Sequence, residues 1–313
     1  MVNGKTVGLI GTNWGRIYPW IFRELGFEID ILMGRDLKKT QETAIAEGIS
    51  KFTTQARDLD HVDILILAVP VEFHGEYLKR FPGKFILCEK ALFGRHIPSS
   101  PQAMDHTRIY VNYAFPLLQS AKLMKALLKN GEIGTPKSLT LQVRYNLPDV
   151  RSVIEKFADT AVHEIYFLQT LFGAFKIKDG NFYYPGDSFR ALMHNEQDLP
   201  LDVSFDLLSE QGIEVEIQIH TTGGTVLLRG GYRPGKFWNF DPIMFNNHPV
   251  NPGEYSLDGN DVWVQANKAN VELFLKVVNG ILTPEKAREE GLSNYHDALQ
   301  VDMGLISIVA GCP

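Results

Sequence analysis

Residues 83–92 read Gly83-Lys84-Phe85-Ile86-Leu87-Cys88-Glu89-Lys90-Ala91-Leu92. An apolar run of strand length ends abruptly in an acid–lysine pair. A run without polar alternation reads as a strand buried on both faces, and this one delivers its charged pair to its carboxyl end. In an open α/β sheet that edge is where ligands bind. A lysine there is a candidate to polarise a carbonyl or move a proton. Further along, Asp159 and His163 stand four apart in a helical pattern, a second group of proton-handling side chains.

On either side of this stretch, the first part of the chain repeats the same grammar. Thr6–Ile10, Ile29–Met33, Ile64–Val69, Phe85–Cys88 and Ile109–Asn112 read as buried strands, with a further strand near 49–52. Helical stretches fall between them, near 15–25, 37–47, 54–59 and 74–80. Strands alternating with helices predict a doubly wound parallel sheet. After Tyr113 the pattern changes. Leu117, Ala121, Met124 and Leu128 form one helical stripe that stops at Asn130-Gly131, a C-terminal signal. Leu139, Leu141 and Val143 then alternate with polar residues, as do Val203, Phe205 and Leu207, and Ile213 to Ile219. The last run turns at Thr221-Thr222-Gly223-Gly224 into Thr225–Leu228, a predicted hairpin. Helices are expected over 152–172, 263–279 and 284–310. The fold class expected is α/β: a doubly wound parallel-sheet domain over residues 1–113, then an α+β domain over 114–313 with a mostly antiparallel sheet.

The bulk numbers agree with two domains, because 313 residues exceed the size at which one core keeps growing. Hydrophobic content of 44% and charged content of 22% are those of a globular protein. A formal charge of −6 argues against a nucleic-acid or anionic-membrane surface. The two cysteines, Cys88 and Cys312, supply neither a disulfide framework nor a zinc site, which fits a reducing, cytoplasmic setting. Cys88, inside the strand run, reads as a small core residue. The first strand begins within a few residues of the start, leaving no room for a signal peptide. No apolar run approaches the length of a membrane span. No dense His, Cys, Asp or Glu spacing suggests a metal site.

Strand one runs into Gly11-Thr12-Asn13-Trp14-Gly15-Arg16. The dinucleotide fingerprint G-x-G-x-x-G uses one glycine for the tight turn, one for close approach of a pyrophosphate and one for helix packing. Here the loop is one residue short, and Asn13 stands where the second glycine is expected. Asn tolerates left-handed backbone angles, and the helix N-terminus behind it presents N–H groups to a phosphate. The alternative is a tight turn with no ligand. At the end of strand two an NAD site carries an acid, whereas this chain has Gly34-Arg35-Asp36 with Lys38 and Lys39 behind. Glycine then arginine makes room for a 2′-phosphate and gives it a charged partner. NADP is therefore expected in preference to NAD, while Lys38 and Lys39 also read as solvent charges opening a helix.

In this order and spacing the pieces resemble the glucose–fructose oxidoreductase/inositol dehydrogenase family, Gfo/Idh/MocA. Val7–Arg16 is similar to its opening strand and turn, and Ile64–Pro70 with His74 to its strand-four ending. Glu89-Lys90-Ala91 resembles its Glu-Lys-Pro signature. Asn112–Pro116 and Gly131-Glu132-Ile133-Gly134 resemble the start of its second domain. Asp159-Thr160-Ala161-Val162-His163, followed by Leu171-Phe172-Gly173, resembles its aspartate–histidine helix. The resemblance implies an N-terminal Rossmann domain, a second domain with an open sheet, and hydride transfer between a nicotinamide ring and a carbinol, ketone or imine, commonly on a sugar, sugar nucleotide or cyclitol. It implies a catalytic group of Lys90, Asp159 and His163. The dinucleotide would lie against Gly11, Thr12, Asn13, Trp14, Gly15, Arg16, Arg35, Val69, Pro70, His74, Glu89 and Lys90. A small polar substrate and a homo-oligomer, dimer or tetramer, joined through the second-domain sheet complete the expectation.

The chemistry agrees with these assignments. Taking hydride from a secondary alcohol requires removal of the hydroxyl proton, and histidine titrates near working pH. Residues four apart share a helix face, so Asp159 and His163 can act together. Lys90 can hydrogen-bond the same oxygen and stabilise developing charge. His163 is read as general acid/base, Lys90 as orienter or proton relay, and Asp159 as the group tuning or positioning substrate; exchange of the Lys90 and His163 roles stays open. His74 either lines the nicotinamide side or merely opens a helix. Tyr166 reads as an aromatic packed on the cleft wall, and Arg144, Tyr145 and Asn146 as possible substrate contacts. Three departures count: the short glycine loop, Ala91 in place of proline, and a compressed stretch from Gly94 to Arg108. A reductase of an imine or pigment, and a non-enzymatic binding or regulatory relative, are the competing readings.

Overall fold

The computed structural model describes residues 4–99, 101, 106–146, 153–183, 188–208, 210–233, 238–253 and 261–310. Cys312, residue 152 at the expected helix start, and part of the compressed stretch (100 and 102–105) lie outside them. The chain begins β1 (Val7–Ile10), α1 (Ile17–Glu24), β2 (Ile31–Met33), α2 (Leu37–Glu47), β3 (Lys51–Thr53), β4 (Ile64–Leu67), α3 (His74–Arg80), β5 (Phe85–Cys88) and β6 (Ile109–Val111). It continues through α4 (Gln119–Lys129), β7 (Pro136–Asn146), α5 (Val153–Thr160), α6 (Val162–Phe172), β8 (Lys176–Tyr183), β9 (Phe189–His194), β10 (Pro200–Leu207), β11 (Gly212–Thr221) and β12 (Thr225–Tyr232). Short strands β13 (Asn239–Phe240), β14 (Met244–Phe245) and β15 (His248–Pro249) precede α7 (Val262–Val278), α8 (Pro284–Glu289), β16 (Ser293–Asn294) and α9 (Tyr295–Ala310).

Two compact units result. The first comprises 1–113 together with 267–302, and the second 114–266 together with 303–313. The segment 267–302, grouped by the sequence pattern with everything after 113, thus clusters with the first unit, a long-range packing choice that no local pattern announces.

The first unit holds a seven-stranded sheet in the order β16-β6-β5-β4-β1-β2-β3. Its strands pair in parallel except β16, which runs antiparallel to β6. Strands β1, β2 and β4 are buried throughout, as their continuous apolar runs require. Strand order reverses between β4 and β1, so the crevice beyond their carboxyl ends is the topological switch point where such sheets bind ligands.

The second unit holds a nine-stranded sheet, β15-β14-β12-β11-β7-β10-β9-β8, with β13 on β12. β7 and β10 pair in parallel, and the other neighbouring strands of this sheet pair antiparallel. Period two decides its faces: Leu139, Leu141, Val143, Val203, Phe205, Val215 and Ile217 are buried. The opposite face carries ion pairs between Arg190 and Asp202, Arg144 and Glu214, and Arg229 and Glu216.

Two expected helices are divided. The run 152–172 breaks at Ala161 into α5 and α6. The run 284–310 breaks into α8 and α9, because Gly291 takes φ +114° and Ser293–Asn294 pair with β6. A left-handed glycine is a helix terminator, and the edge of β6 supplies hydrogen bonds to the residues just after it.

Candidate active site

The carboxyl edge of the first sheet begins at Gly11. Its φ is +127°, and a Cβ added there would stand 2.0 Å from the Ala68 carbonyl oxygen at the end of β4. Only glycine admits that approach. Gly15 is buried, and a Cβ on it would meet that of Ala68 at 3.3 Å. The first and last glycines of the fingerprint therefore hold the roles expected of them, tight turn and helix–strand packing. Between them the backbone differs from expectation. Asn13 adopts φ −104°, ψ −96°, outside the left-handed region, and Trp14–Arg16 form a 3-10 turn before α1 begins. One residue fewer in the loop leaves no room for a left-handed step. Arg16, exposed, is engaged with Glu47 of α2 at 2.8 Å, and Thr12 packs against Gly34, where a Cβ would lie 2.7 Å from its methyl.

At the end of β2 the charges are distributed unequally. Asp36 caps α2, accepting from the Lys39 amide at 2.7 Å, so its carboxylate is occupied by the helix. Lys39 Nζ donates to Asn13 Oδ1 at 2.5 Å, tying helix to glycine loop. Arg35 is exposed and its guanidinium stacks 4.9 Å over the Phe73 ring. The exposed charge next to the end of β2 is thus a cation, while the Asp36 carboxylate is turned to the helix. The strand end is glycine and the adjoining side chain is a planar fork of donors, a set that fits a phosphorylated ligand.

The end of β5 is held by a buried network. Glu89 Oε1 accepts from Trp14 Nε1 at 3.0 Å, from Asn112 Nδ2 at 3.1 Å and from the Tyr18 hydroxyl. Asn112 Nδ2 also lies 3.0 Å from the Tyr18 oxygen and 2.6 Å from Asn267 Oδ1. Burial, and then the neighbouring Glu89 charge, push the Tyr18 hydroxyl well above its usual range, so it stays a donor. This network joins the glycine loop, through a half-exposed Trp14, to the residue preceding Lys90. Lys90 is half-buried and its peptide bond to Ala91 is cis. Val69 and Pro70 follow β4, and His74 is wholly buried with both ring nitrogens against main-chain carbonyls, so its ring is turned to the main chain and not to a nicotinamide. Tyr18, Asn112 and Asn267 escape sequence reading as site residues. Two carried a sequence signal: Tyr18 lies one turn beyond the glycine loop, and Asn112 opens the Asn112–Pro116 stretch.

In the second unit, Asp159 ends α5, half-buried, and His163 opens α6, buried. The Ala161 turn between them keeps helical bonds, Ala161 N to Phe157 O at 2.8 Å and Ile165 N to Ala161 O at 2.9 Å. The His163 ring stands edge to face on Trp263 with centroids 4.7 Å apart, and Trp263 stacks on Trp238 at 4.7 Å. Asp261 ties these two tryptophans by accepting from both backbone amides. Tyr166 is buried. Arg144 pairs with Glu214 at 3.1 Å, Asn146 donates to Leu208 O at 2.9 Å, and Tyr145 is buried. Among the described residues no three His, Cys, Asp or Glu side chains gather as metal ligands. Nor is any helix among them long and apolar enough to cross a membrane.

Solved structures resemble this one over nearly its full length. Myo-inositol dehydrogenase from Lactobacillus casei, in complex with NAD(H) and myo-inositol, superposes with a TM-score of 0.74 at 17% identity, covering 98% of this chain and 94% of that one. Myo-inositol dehydrogenase from Corynebacterium glutamicum gives 0.73 at 14%, over 98% and 96%. Levoglucosan dehydrogenase, in complex with NADH and levoglucosan, gives 0.71 at 16%, over 98% and 96%. At these identities the likeness is one of fold, a mostly parallel sheet and a mostly antiparallel sheet shared with these dehydrogenases. By sequence, no family model and no curated protein matches the chain. Within that fold, Gly11, Gly15, Glu89 and Lys90 gather at one sheet edge of the first unit, while Asp159 and His163 belong to the second.

Proposed function

We propose that this protein transfers hydride between a nicotinamide dinucleotide, NADP in preference to NAD, and the secondary alcohol or ketone of a sugar, sugar derivative or cyclitol. The observation that carries the reading is the edge of the first sheet, where a glycine turn, an exposed strand-two arginine and the Glu89-Lys90 pair meet at the topological switch point. The fold likeness supports it by analogy, since neighbours were solved with NADH or NAD(H) and a polyol or anhydrosugar.

Nicotinamide, when bound, supplies or accepts the hydride. Oxidising an alcohol also removes its hydroxyl proton, and reduction returns it. That proton is assigned to His163, whose ring is held at a fixed angle by Trp263. Lys90 donates a hydrogen bond to the same oxygen and stabilises its charge as the O–H bond breaks. Asp159 orients the substrate or tunes the pair. Arg35 takes the 2′-phosphate, and the main chain of the glycine loop takes the pyrophosphate. The polar face of the second sheet, laced with paired charges, is assigned to a homo-oligomer contact, and the protein to the cytoplasm.

The test is a titration with NADPH and with NADH, followed by nicotinamide fluorescence. Micromolar NADPH binding with much weaker NADH binding supports the reading. A screen of polyols and ketoses comes next, with Lys90→Ala and His163→Ala as controls. Binding of neither nucleotide removes the dehydrogenase reading altogether.

A further inference from the structure

Two fully buried ionisable side chains, His74 and Asp302, play no part in the proposed hydride and proton chemistry. Both are committed to main chain, and to one short stretch of it. His74 opens α3, and its Nε2 lies 2.9 Å from the Val69 carbonyl oxygen. Its Nδ1 lies 3.0 Å from the carbonyl oxygens of both Ala91 and Leu92, with Cys88 Sγ at 3.3 Å. From α9, Asp302 Oδ2 accepts from the amides of Phe93 at 2.6 Å and Gly94 at 3.2 Å. Four successive residues, Ala91 to Gly94, are therefore held by two side chains, carbonyls by one and amides by the other.

Burying an imidazole and a carboxyl is costly unless hydrogen bonds compensate. Here the compensation comes from the segment that directly succeeds Lys90. The arrangement present fixes the peptide planes on which the Lys90 side chain stands. The neutral ring carries one N–H, and the clasp is that of the Nδ1–H tautomer, which donates to the Ala91 and Leu92 carbonyls.

We propose that His74 and Asp302 are positioning residues for Lys90, clasping the Ala91–Gly94 main chain so that the Lys90 ammonium is held at one place and angle. The catalytic consequence rests on the role of Lys90 in the proposed hydride transfer; the positioning itself does not.

Reductive methylation with 13C-formaldehyde gives every lysine a resonance of its own, and Lys90→Arg identifies that of Lys90. Four variants of similar volume separate the contacts. His74→Asn keeps a donor near Nδ1, facing Ala91 and Leu92, whereas His74→Gln reaches only toward Val69. Asp302→Asn keeps an acceptor for the two amides, whereas Asp302→Leu removes it. The Lys90 resonance is expected to shift and broaden in His74→Gln and Asp302→Leu and to hold in His74→Asn and Asp302→Asn. The other lysines should be unmoved in all four. On unmethylated protein, His74→Gln and Asp302→Leu should lose tenfold or more in kcat while the dinucleotide KM stays within threefold. An unmoved Lys90 resonance in His74→Gln and Asp302→Leu overturns the proposal, even if Lys90→Ala is inactive. A moved resonance with a fully active Lys90→Ala keeps the positioning and removes the catalytic role. If Asp302→Leu does not fold, the two His74 variants decide the matter.

Discussion

Replacing Asp302 by asparagine should flatten the pH dependence of stability. Burial raises the Asp302 carboxyl to about 8, against amide hydrogen bonds from Phe93 and Gly94 that favour its ionised form. An unfolded Asp titrates at about 3.9. Between these values the folded protein holds a proton that the unfolded chain releases, so raising the pH favours unfolding. The slope approaches 1.4 kcal/mol per pH unit as an order-of-magnitude figure, and from pH 5 to 8 it integrates to roughly 3.5 kcal/mol. The asparagine side chain of the variant has no proton to lose but keeps an oxygen for the two amides. Its other, nitrogen end faces the place of Oδ1, which has no partner among the described residues, and that adds a cost of about 1–3 kcal/mol independent of pH. Neighbouring groups do not mimic the effect. The Cys88 thiol and the Tyr295 hydroxyl, both raised mainly by burial, ionise above this window, Tyr295 at about 12. His74 acts with the opposite sign. Burial lowers its pKa despite the three carbonyls that favour the cation, so its contribution is present above about 6.5 and lost as pH falls. That contribution is common to both proteins and cancels in their difference. Calorimetric Tm values at pH 5, 6.5 and 8 should show the wild type losing on the order of 5–10 °C relative to Asp302→Asn. Parallel curves would refute the reasoning, as would a wild type that gains on the variant with rising pH.

Three further outcomes concern the dinucleotide edge. Arg35→Ala should weaken NADPH binding by roughly 10–100-fold, the worth of one charge-assisted contact to phosphate, while NADH binding changes less than threefold by the same fluorescence titration. Gly34→Ala places a Cβ 2.2 Å from Thr40 Oγ1 and 2.7 Å from the Thr12 methyl. Such overpacking should cost about 1–3 kcal/mol in denaturant unfolding and weaken both nucleotides, because Thr12 belongs to the loop. Trp14→Phe removes the 3.0 Å bond to Glu89; with a net worth of roughly 0.5–1.5 kcal/mol, its loss should loosen dinucleotide binding up to tenfold and abolish the quenching of Trp14 emission on NADPH addition.

How far the sequence could be read depends on what each residue answers to. Local pattern reports local partners. The unbroken apolar run Ile64–Leu67 announced a strand covered on both faces, and the alternation of Leu139, Leu141 and Val143 announced a sheet covered on one. Gly11 could be assigned its turn because a short strand-to-helix link constrains the backbone within its own few residues. The divided helices show the limit. Apolar periodicity continues straight through Ala161, and Gly291 was a readable stop whose meaning depended on the edge of β6, far away in sequence. Side chains that hold main chain are the least legible, since an amide or carbonyl leaves no trace in residue identity. Asp302 looks like a surface acid on a helix until Phe93 and Gly94 are brought to it from 209 and 208 positions away. His74 looks like the opening of a helix, and Tyr18 like an apolar helix face, until Ala91, Leu92 and Glu89 meet them. The residues proposed for proton and hydride chemistry could be named from their types and spacing. Those that hold the main chain around them become visible only when the fold brings donor and acceptor together.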